Sequence, residues 1–206
     1  MRRCVIIAGA TINNYSYIKN CLTDNDFYIC CDSGLKHIDK LNVIPNLIIG
    51  DFDSYDNPNL DIETIVLPCE KDDTDSIYAV NTAIEMGFDD FLLLGFLGGR
   101  FDHSLVNLSS LIQLHNSRKT AIAIDDFSEI ELVTDSAYIE DNYSFFSLIA
   151  FGGDLSGVTI DNAKYPLING TITMGYQYGI SNEVIKGQTA SVSIADGMGL
   201  LIKVRD

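Results

Sequence analysis

The chain has no apolar run approaching the roughly 20 residues of a membrane-spanning helix, so no such helix is expected. Cations are scarce: 13 lysines and arginines stand against 29 aspartates and glutamates, for a formal net charge of -16. Nucleic-acid affinity comes largely from Lys and Arg on phosphates, which disfavours a DNA or RNA partner. A cationic or metal-bridged ligand suits this balance better. There is no Cys-x-x-Cys pair among the five cysteines, Cys4, Cys21, Cys30, Cys31 and Cys69. Their number is odd, and Cys4, Cys30 and Cys31 lie in apolar runs and read as small buried hydrophobes, so a reduced, cytoplasmic protein is expected rather than a disulfide or zinc scaffold. Neither a Walker A sequence nor a G-x-G-x-x-G fingerprint occurs. An EF-hand fails as well: counted from Asp51, positions six and twelve are Asp56 and Ile62, where Gly and Glu are required.

What is present is 206 residues, 47% of them hydrophobic, enough for one good core or two modest ones. The opening "MRRCVIIAGATINN" holds an apolar run too short for a secretory signal and is expected to be a first buried strand. Up to about residue 126, short apolar runs alternate with helical patterns. "CVIIAG", "FYICCD", "NLIIGD", "TIVLP", "FLLLG" and "TAIAID" read as buried strands, with helices over about Thr74–Met86 and Asp102–His115. This predicts an α/β domain with a mainly parallel sheet over 1–126. From 127 to 206 strict alternation takes over, as in "SGVTID", "GTITM", "TASVSIAD" and "LIKVRD", the period of half-buried antiparallel strands. Ile172 and Met174 are expected on one buried face, Ile202 and Val204 opposite Lys203 and Arg205, and "ADGMG" as the turn of a final hairpin.

Four predicted strands end in loops of unusual composition: "CDSG" with Asp32, "GDFDS" with Asp51 and Asp53, "KDDTDS" with Lys71, Asp72, Asp73 and Asp75, and "GFLGGRFDHS" with Gly98, Gly99, Arg100, Asp102 and His103. In open α/β sheets the ligand crevice lies outside the carboxyl ends of the strands, so these loops point to one site. Asp32, Thr74 and Asp102 each also fit as helix caps or first-turn acids. Capping does not explain Asp51 beside Asp53, which an extended chain aims to one side. Like charges this close raise each other's pKa unless a cation offsets them. Hard oxygen donors select Mg2+ or Mn2+, and Mg2+ usually combines one or two carboxylates with substrate phosphates. Arg100 offers a bidentate fork for phosphate oxygens, and the helix after it presents free N–H groups. His103 reads equally as a site residue or a capping one, Lys71 as a phosphate contact or a solvated charge. The D-x-D pair also fits a metal-dependent nucleotide-sugar transferase.

With those loops assembled, the sequence resembles the thiamine pyrophosphokinase family. The resemblance rests on "CCDSGLKHI", "PNLIIGDFDS", "KDDTDSIYA" and "LLGFLGGRFDHSLVNL" in order, then "NAKYPL" and "GISNEV". It implies a Rossmann-like α/β catalytic domain that binds ATP and metal, followed by an all-β C-terminal sandwich that binds thiamine and forms a homodimer with a shared site. The implied reaction moves the diphosphate of ATP, the co-substrate, to the thiamine hydroxyl with Mg2+, leaving AMP. Carried over by motif, Asp51, Asp53, Asp72 and Asp75 hold metal, and Asp51, Asp53, Asp75 and Arg100 are catalytic. Asp32, Lys71, Gly98, Gly99, Arg100, Asp102 and His103 bind ATP and its phosphates, and Tyr165, Ser181 and Asn182 bind thiamine. Tyr165 stands where animal relatives carry Trp, and Asp73 adds a charge at the variable position of K-D-x-T-D, so the choice of ligand carboxylates stays open. A non-catalytic thiamine or nucleotide sensor is the remaining alternative.

Overall fold

The computed structural model describes residues 2–53, 60–70 and 72–205; Lys71 lies outside them. The chain divides into two compact units, Met1–Asp126 and Phe127–Asp206.

In the first unit the elements run β1 (Cys4–Ile7), α1 (Tyr15–Asn20), β2 (Phe27–Cys31), a 3-10 segment (Asp32–His37), α2 (Ile38–Leu41), β3 (Leu47–Gly50), β4 (Thr64–Val66), α3 (Asp75–Glu85), β5 (Asp90–Leu94), α4 (Phe101–Asn116) and β6 (Thr120–Ile124). The six strands lie in the order β4-β3-β2-β1-β5-β6, every neighbouring pair parallel. All four residues of β1 are buried, as are Leu92, Leu93 and Leu94 of β5. Burial on both faces explains why these strands read as continuous apolar runs rather than alternations. Helix α3 starts at Thr74, whose hydroxyl accepts from the Ile77 N–H at 3.4 Å. Its buried Ser76, Ala79, Val80 and Ala83 repeat at helical spacing, and that face packs on β1, β2 and β3. The two expected long helices are found within one residue of their ends, while the short α1 and α2 were not anticipated.

The order reverses between β1 and β5: from β1 the chain adds strands to one side, then returns through α3 to the other. That reversal opens a crevice at the carboxyl ends of the parallel strands. Both α3 and α4 begin at that edge, so their N-termini face the same place as the strand ends.

The second unit holds β7 (Ser128–Val133), β8 (Ser136–Glu140), β9 (Phe145–Ala150), β10 (Leu155–Asp161), β11 (Leu167–Ile172), β12 (Thr189–Ser193) and β13 (Gly199–Val204). All their pairings are antiparallel, in the orders β7-β13-β9 and β11-β10-β12-β8. One core serves both sets: Val133, Phe146, Leu148 and Leu201 from the first meet Ile139, Val158, Ile160 and Val192 from the second.

Three expectations are corrected here. β12 and β13 form no hairpin, because "ADGMG" carries the chain from one set of strands to the other. Lys203 is not on a solvated face: it is 8% exposed, its Nζ 3.0 Å from Glu131 and 3.4 Å from Glu129, and Leu201 rather than Ile202 enters the core. A buried ammonium is tolerated when carboxylates meet it. Met174 falls beyond the end of β11 and is exposed, while Ile172 is fully buried.

Candidate active site

Ala8–Thr11 after β1, Asp32 and Ser33 after β2, Asp51 and Asp53 after β3, Thr74–Ser76 at the start of α3, and the segment after β5 line a cavity of about 500 Å³. Its floor is acidic. Oxygen atoms of Asp32, Asp51 and Asp75 all lie within 4.8 Å of one another, with Asp32 buried and the other two half-buried. The grouping follows from the sheet: Asp32 and Asp51 directly follow the ends of the adjacent strands β2 and β3, and Asp75 sits in the first turn of the helix packed over both.

Two backbone features build this floor. Gly50 ends β3 where a Cβ would lie 2.7 Å from Asp32 Cβ, so only glycine lets Asp32 sit against the neighbouring strand. Phe52 has φ of 56°, the left-handed region that a bulky residue rarely adopts. β3 has already ended at Gly50, so the chain across Asp51–Asp53 is not extended and the i, i+2 rule does not hold. Asp51 joins Asp32 and Asp75; Asp53 is an exposed residue of the cavity wall, outside that group of three, and its N–H donates to Asp51 Oδ1 at 3.3 Å. Phe52 packs its ring partly against the core of the unit, which holds the turn. Asp72 and Asp73 are exposed and do not line the cavity.

Next to the carboxylates Cys31 is buried, and its thiol is pushed well above its ordinary pKa by burial first, then by the Asp75 carboxylate, Cys30 and Asp32. It stays protonated and adds no charge to the floor.

The glycine-rich segment after β5 forms the opposite wall. Gly98 and Gly99 have φ of 111° and 68°. Ser104, one turn into α4, accepts from the Gly98 N–H at 3.0 Å, and Asn107 Nδ2 donates to the Phe96 carbonyl at 2.7 Å. Asn107 Oδ1 in turn accepts from the Ser76 hydroxyl at 2.8 Å, which ties this wall to the start of α3. Arg100 and His103 line the cavity and are exposed. The Arg100 guanidinium makes two bonds to the Asp102 carboxylate, at 2.6 and 3.2 Å. These bonds first, against a desolvation that acts to raise it, and then the His103 N–H and the Arg100 charge hold the Asp102 carboxyl down to about 2. Asp102 is thus a partner of Arg100 in the first turn of α4 rather than its cap, the cap position being Arg100 itself.

In the second unit Tyr165 is 59% exposed on the connection between β10 and β11. Ser181 has φ of 53° and is exposed, its N–H donating to Ser147 Oγ at 3.0 Å. Asn182 is buried: its Oδ1 accepts from the Tyr165 and Glu183 N–H groups at 3.0 and 2.9 Å, and its Nδ2 donates to the Tyr165 carbonyl at 2.8 Å. The amide is spent on backbone and fixes the segment that carries Tyr165. Lys164 Nζ lies 5.6 Å from the Tyr165 ring centre and pairs with Glu183 at 2.7 Å.

Sequence reasoning did not single out Ala8–Thr11, Ser76, Ser104 or Asn107. The first carries no charge to attract notice; the small residues after the first strand were the only signal. The others are neutral side chains whose role lies in hydrogen bonds, within one loop and helix start for Ser104 and between distant segments for Ser76 and Asn107.

Residues 18–124 match the family model described as thiamin pyrophosphokinase, catalytic domain, and residues 135–198 the one described as thiamin pyrophosphokinase, vitamin B1 binding domain. The chain is 30% identical over 215 residues to the thiamine pyrophosphokinase of Bacillus subtilis, covering 100% of both chains. It is 30% identical over 202 residues to thiamin pyrophosphokinase 1 of Caenorhabditis elegans, covering 90% of this chain and 82% of the relative. The crystal structure of thiamine pyrophosphokinase from Bacillus subtilis superposes with a TM-score of 0.85 at 26% identity over 100% of both chains. The yeast thiamin pyrophosphokinase has the same fold, with a TM-score of 0.81 at 16% identity over 98% of this chain and 86% of that one.

Proposed function

The chain belongs to the thiamin pyrophosphokinase family, and from that premise we propose how its own residues carry out the reaction. It transfers the diphosphate of ATP to the hydroxyl of thiamine, giving thiamine diphosphate and AMP. The thiamine oxygen forms a bond to the β-phosphorus as the bond from that phosphorus to the bridging oxygen of AMP breaks, and the hydroxyl proton is released to solvent.

The observation that carries the site assignment is the group of three carboxylates, Asp32, Asp51 and Asp75, on the floor of a cavity whose facing wall is glycine-rich and bears Arg100. Three hard oxygen donors in mutual reach fit Mg2+, or Mn2+, and no soft ligand competes, since Cys31 is held as the thiol. These three would hold the ion, which when bound neutralises charge on the transferring phosphates. Asp53 serves as a wall residue nearer the solvent, and Asp72, outside the lining, takes no part in holding the ion. Arg100 exchanges its exposed partner Asp102 for phosphate oxygens, which suits a planar fork already in a pairing geometry. The backbone of Gly98 and Gly99 lies against the same phosphates, and Ser104 and Asn107 keep that backbone in place. His103 takes a position beside the nucleotide.

In the second unit Tyr165 offers a ring face to the thiazolium cation, weaker than Trp would be. Asn182 acts by holding Tyr165, and Ser181 borders the same segment. Finer features belong to the same reading: a Rossmann-like first unit, supported by its reversed parallel order, and a β-sandwich second unit, supported by the core its two sets of strands share. A homodimer is supported by exposed apolar side chains such as Ile168, Tyr138 and Tyr176. Residence in the cytoplasm is supported by five free thiols.

Incubation of the purified protein with ATP, thiamine and Mg2+, followed by chromatography of nucleotides and thiamine esters, tests the reading. AMP and thiamine diphosphate in equal amounts are expected. ADP without AMP, or thiamine-independent turnover, overturns it.

A further inference from the structure

The connection between β1 and α1 supplies Ala8, Gly9, Ala10 and Thr11 to the cavity wall, yet it has no charged side chain of its own. It is held from both sides by other elements. On the β5 side the Ala8 N–H donates to the Leu94 carbonyl and the Ala10 N–H to the Gly95 carbonyl, both at 2.8 Å. On the other side lies the 3-10 segment Asp32–His37. Lys36 Nζ donates to the Gly9 carbonyl, and His37 Nε2 is 2.9 Å from the Ala10 carbonyl. Further along, the Asp126 carboxylate accepts from the Asn13 and Asn14 N–H groups at 2.8 Å each.

Of the three side chains that hold the connection, Lys36, His37 and Asp126, only His37 is buried, at 2% exposed. A carbonyl only accepts, so Nε2 carries the hydrogen. In the neutral ring Nδ1 is then an acceptor, and the Tyr15 hydroxyl, 2.7 Å away, donates to it. Tyr15 thereby fixes the tautomer that reaches Ala10. The neutral state fits as well: burial lowers the imidazole below its ordinary pKa, with Lys36 and Lys40 pushing the same way and the Ala10 carbonyl and Asp126 opposing. Lys40 Nζ also lies 5.0 Å from the centre of the Tyr15 ring. A side chain needed only for packing at this place has no use for two aligned polar contacts, one of them to the back of a cavity wall.

We propose that His37, oriented by Tyr15, is a positioning residue for the nucleotide: it sets the Gly9–Thr11 wall through the Ala10 carbonyl and never touches substrate. The inference rests on the reading of the cavity as the ATP site. Loss of the contact leaves the Ala10 carbonyl without its donor and lets the wall shift, which weakens ground-state and transition-state binding of the nucleotide alike. That pattern raises KM with kcat kept.

The test uses His37→Leu, which keeps bulk and removes both polar contacts, and His37→Gln, whose amide again offers a donor toward Ala10. Steady-state kinetics are measured with ATP and thiamine varied in turn, and binding of ATP with Mg2+ is measured by calorimetry. His37→Leu is expected to raise KM for ATP and weaken ATP binding about tenfold, the scale of one buried hydrogen bond lost. KM for thiamine and kcat stay within threefold, and His37→Gln recovers most of the loss. Tyr15→Phe, which removes a single hydroxyl, gives a smaller shift in the same direction and carries the test alone if His37→Leu does not fold. Unchanged ATP binding in these variants overturns the proposal. So does a loss in kcat that Gln does not restore. A wild-type protein that binds ATP but makes no AMP refutes the functional reading instead, and leaves the calorimetric comparison standing.

Discussion

Replacing Gly50 by alanine asks how much the acidic floor depends on one missing methyl group. The new Cβ would lie 2.7 Å from Asp32 Cβ, 3.1 Å from its Cα and 3.2 Å from its N. Carbon atoms settle about 3.5–4.0 Å apart, so the ends of β2 and β3 must separate by roughly 1 Å. Rotating the Asp32 side chain does not relieve the clash, because the atoms in the way are backbone and Cβ. Asp32 is 3% exposed just beyond the end of β2, where overpacking costs about 1–3 kcal/mol of stability. The effect on turnover is larger. The carboxylate moves by a similar distance relative to Asp51 and Asp75, and a misplacement of about 1 Å costs on the order of a hundredfold in rate. AMP release measured at saturating ATP and thiamine over a range of Mg2+ should show kcat about a hundredfold lower and a higher Mg2+ requirement. Urea unfolding should move by no more than about 3 kcal/mol. Gly153→Ala, where nothing stands within 4 Å of the new methyl, is the control expected to match wild type. A Gly50→Ala protein with wild-type rate and Mg2+ dependence would refute the reasoning, since the floor would then tolerate a displaced Asp32.

The remaining expectations concern single side chains. Asp51→Asn should cut Mg2+-dependent turnover about a hundredfold or more while circular dichroism stays unchanged, and Asp53→Asn, outside the group of three, should cost far less; equal losses contradict the grouping. Arg100→Lys keeps the charge but not the fork, so kcat/KM for ATP should fall about tenfold or more with no change in melting temperature, the Asp102 pair being exposed. Asp26 is held below the usual carboxylate range: burial acts to raise it, but bonds from Arg3 and Thr23 and the Arg3 charge outweigh that. Its contribution to stability is therefore complete above an unfolded pKa of about 3.9 and is lost as pH falls through the lower folded value. Asp26→Asn should destabilise the protein at pH 7 by about 3 kcal/mol in urea unfolding and remove that part of the acid dependence; an unchanged acid limb counts against it. Tyr165→Ala should raise KM for thiamine about tenfold and Tyr165→Trp should lower it, with KM for ATP unmoved in both.

Much of this protein was legible in its residues. Continuous apolar runs such as "CVII" and "FLLL" mark strands buried on both faces, and the change to alternation after residue 126 marks antiparallel ones, because burial imposes its period on the sequence. The ordered acidic and glycine-rich loops likewise pointed to one place, and the structure brings Asp32, Asp51, Asp75 and Arg100 to the lining of one cavity. Where long-range pairing decides, the residues were silent. Nothing local says that β13 leaves β12 for β7 and β9, or that Lys203 meets Glu129 and Glu131 on a covered face. The carboxylates of the floor are the clearest case. "GDFDS" suggests that Asp51 and Asp53 act as a pair, but a left-handed Phe52 separates them, and the partners of Asp51 come from the end of β2 and the start of α3. Composition and spacing determined that acidic and glycine-rich segments gather at strand ends. Which acids converge was decided by the parallel order β4-β3-β2-β1-β5-β6, because adjacency in a sheet is set by hydrogen bonds between segments far apart in the chain.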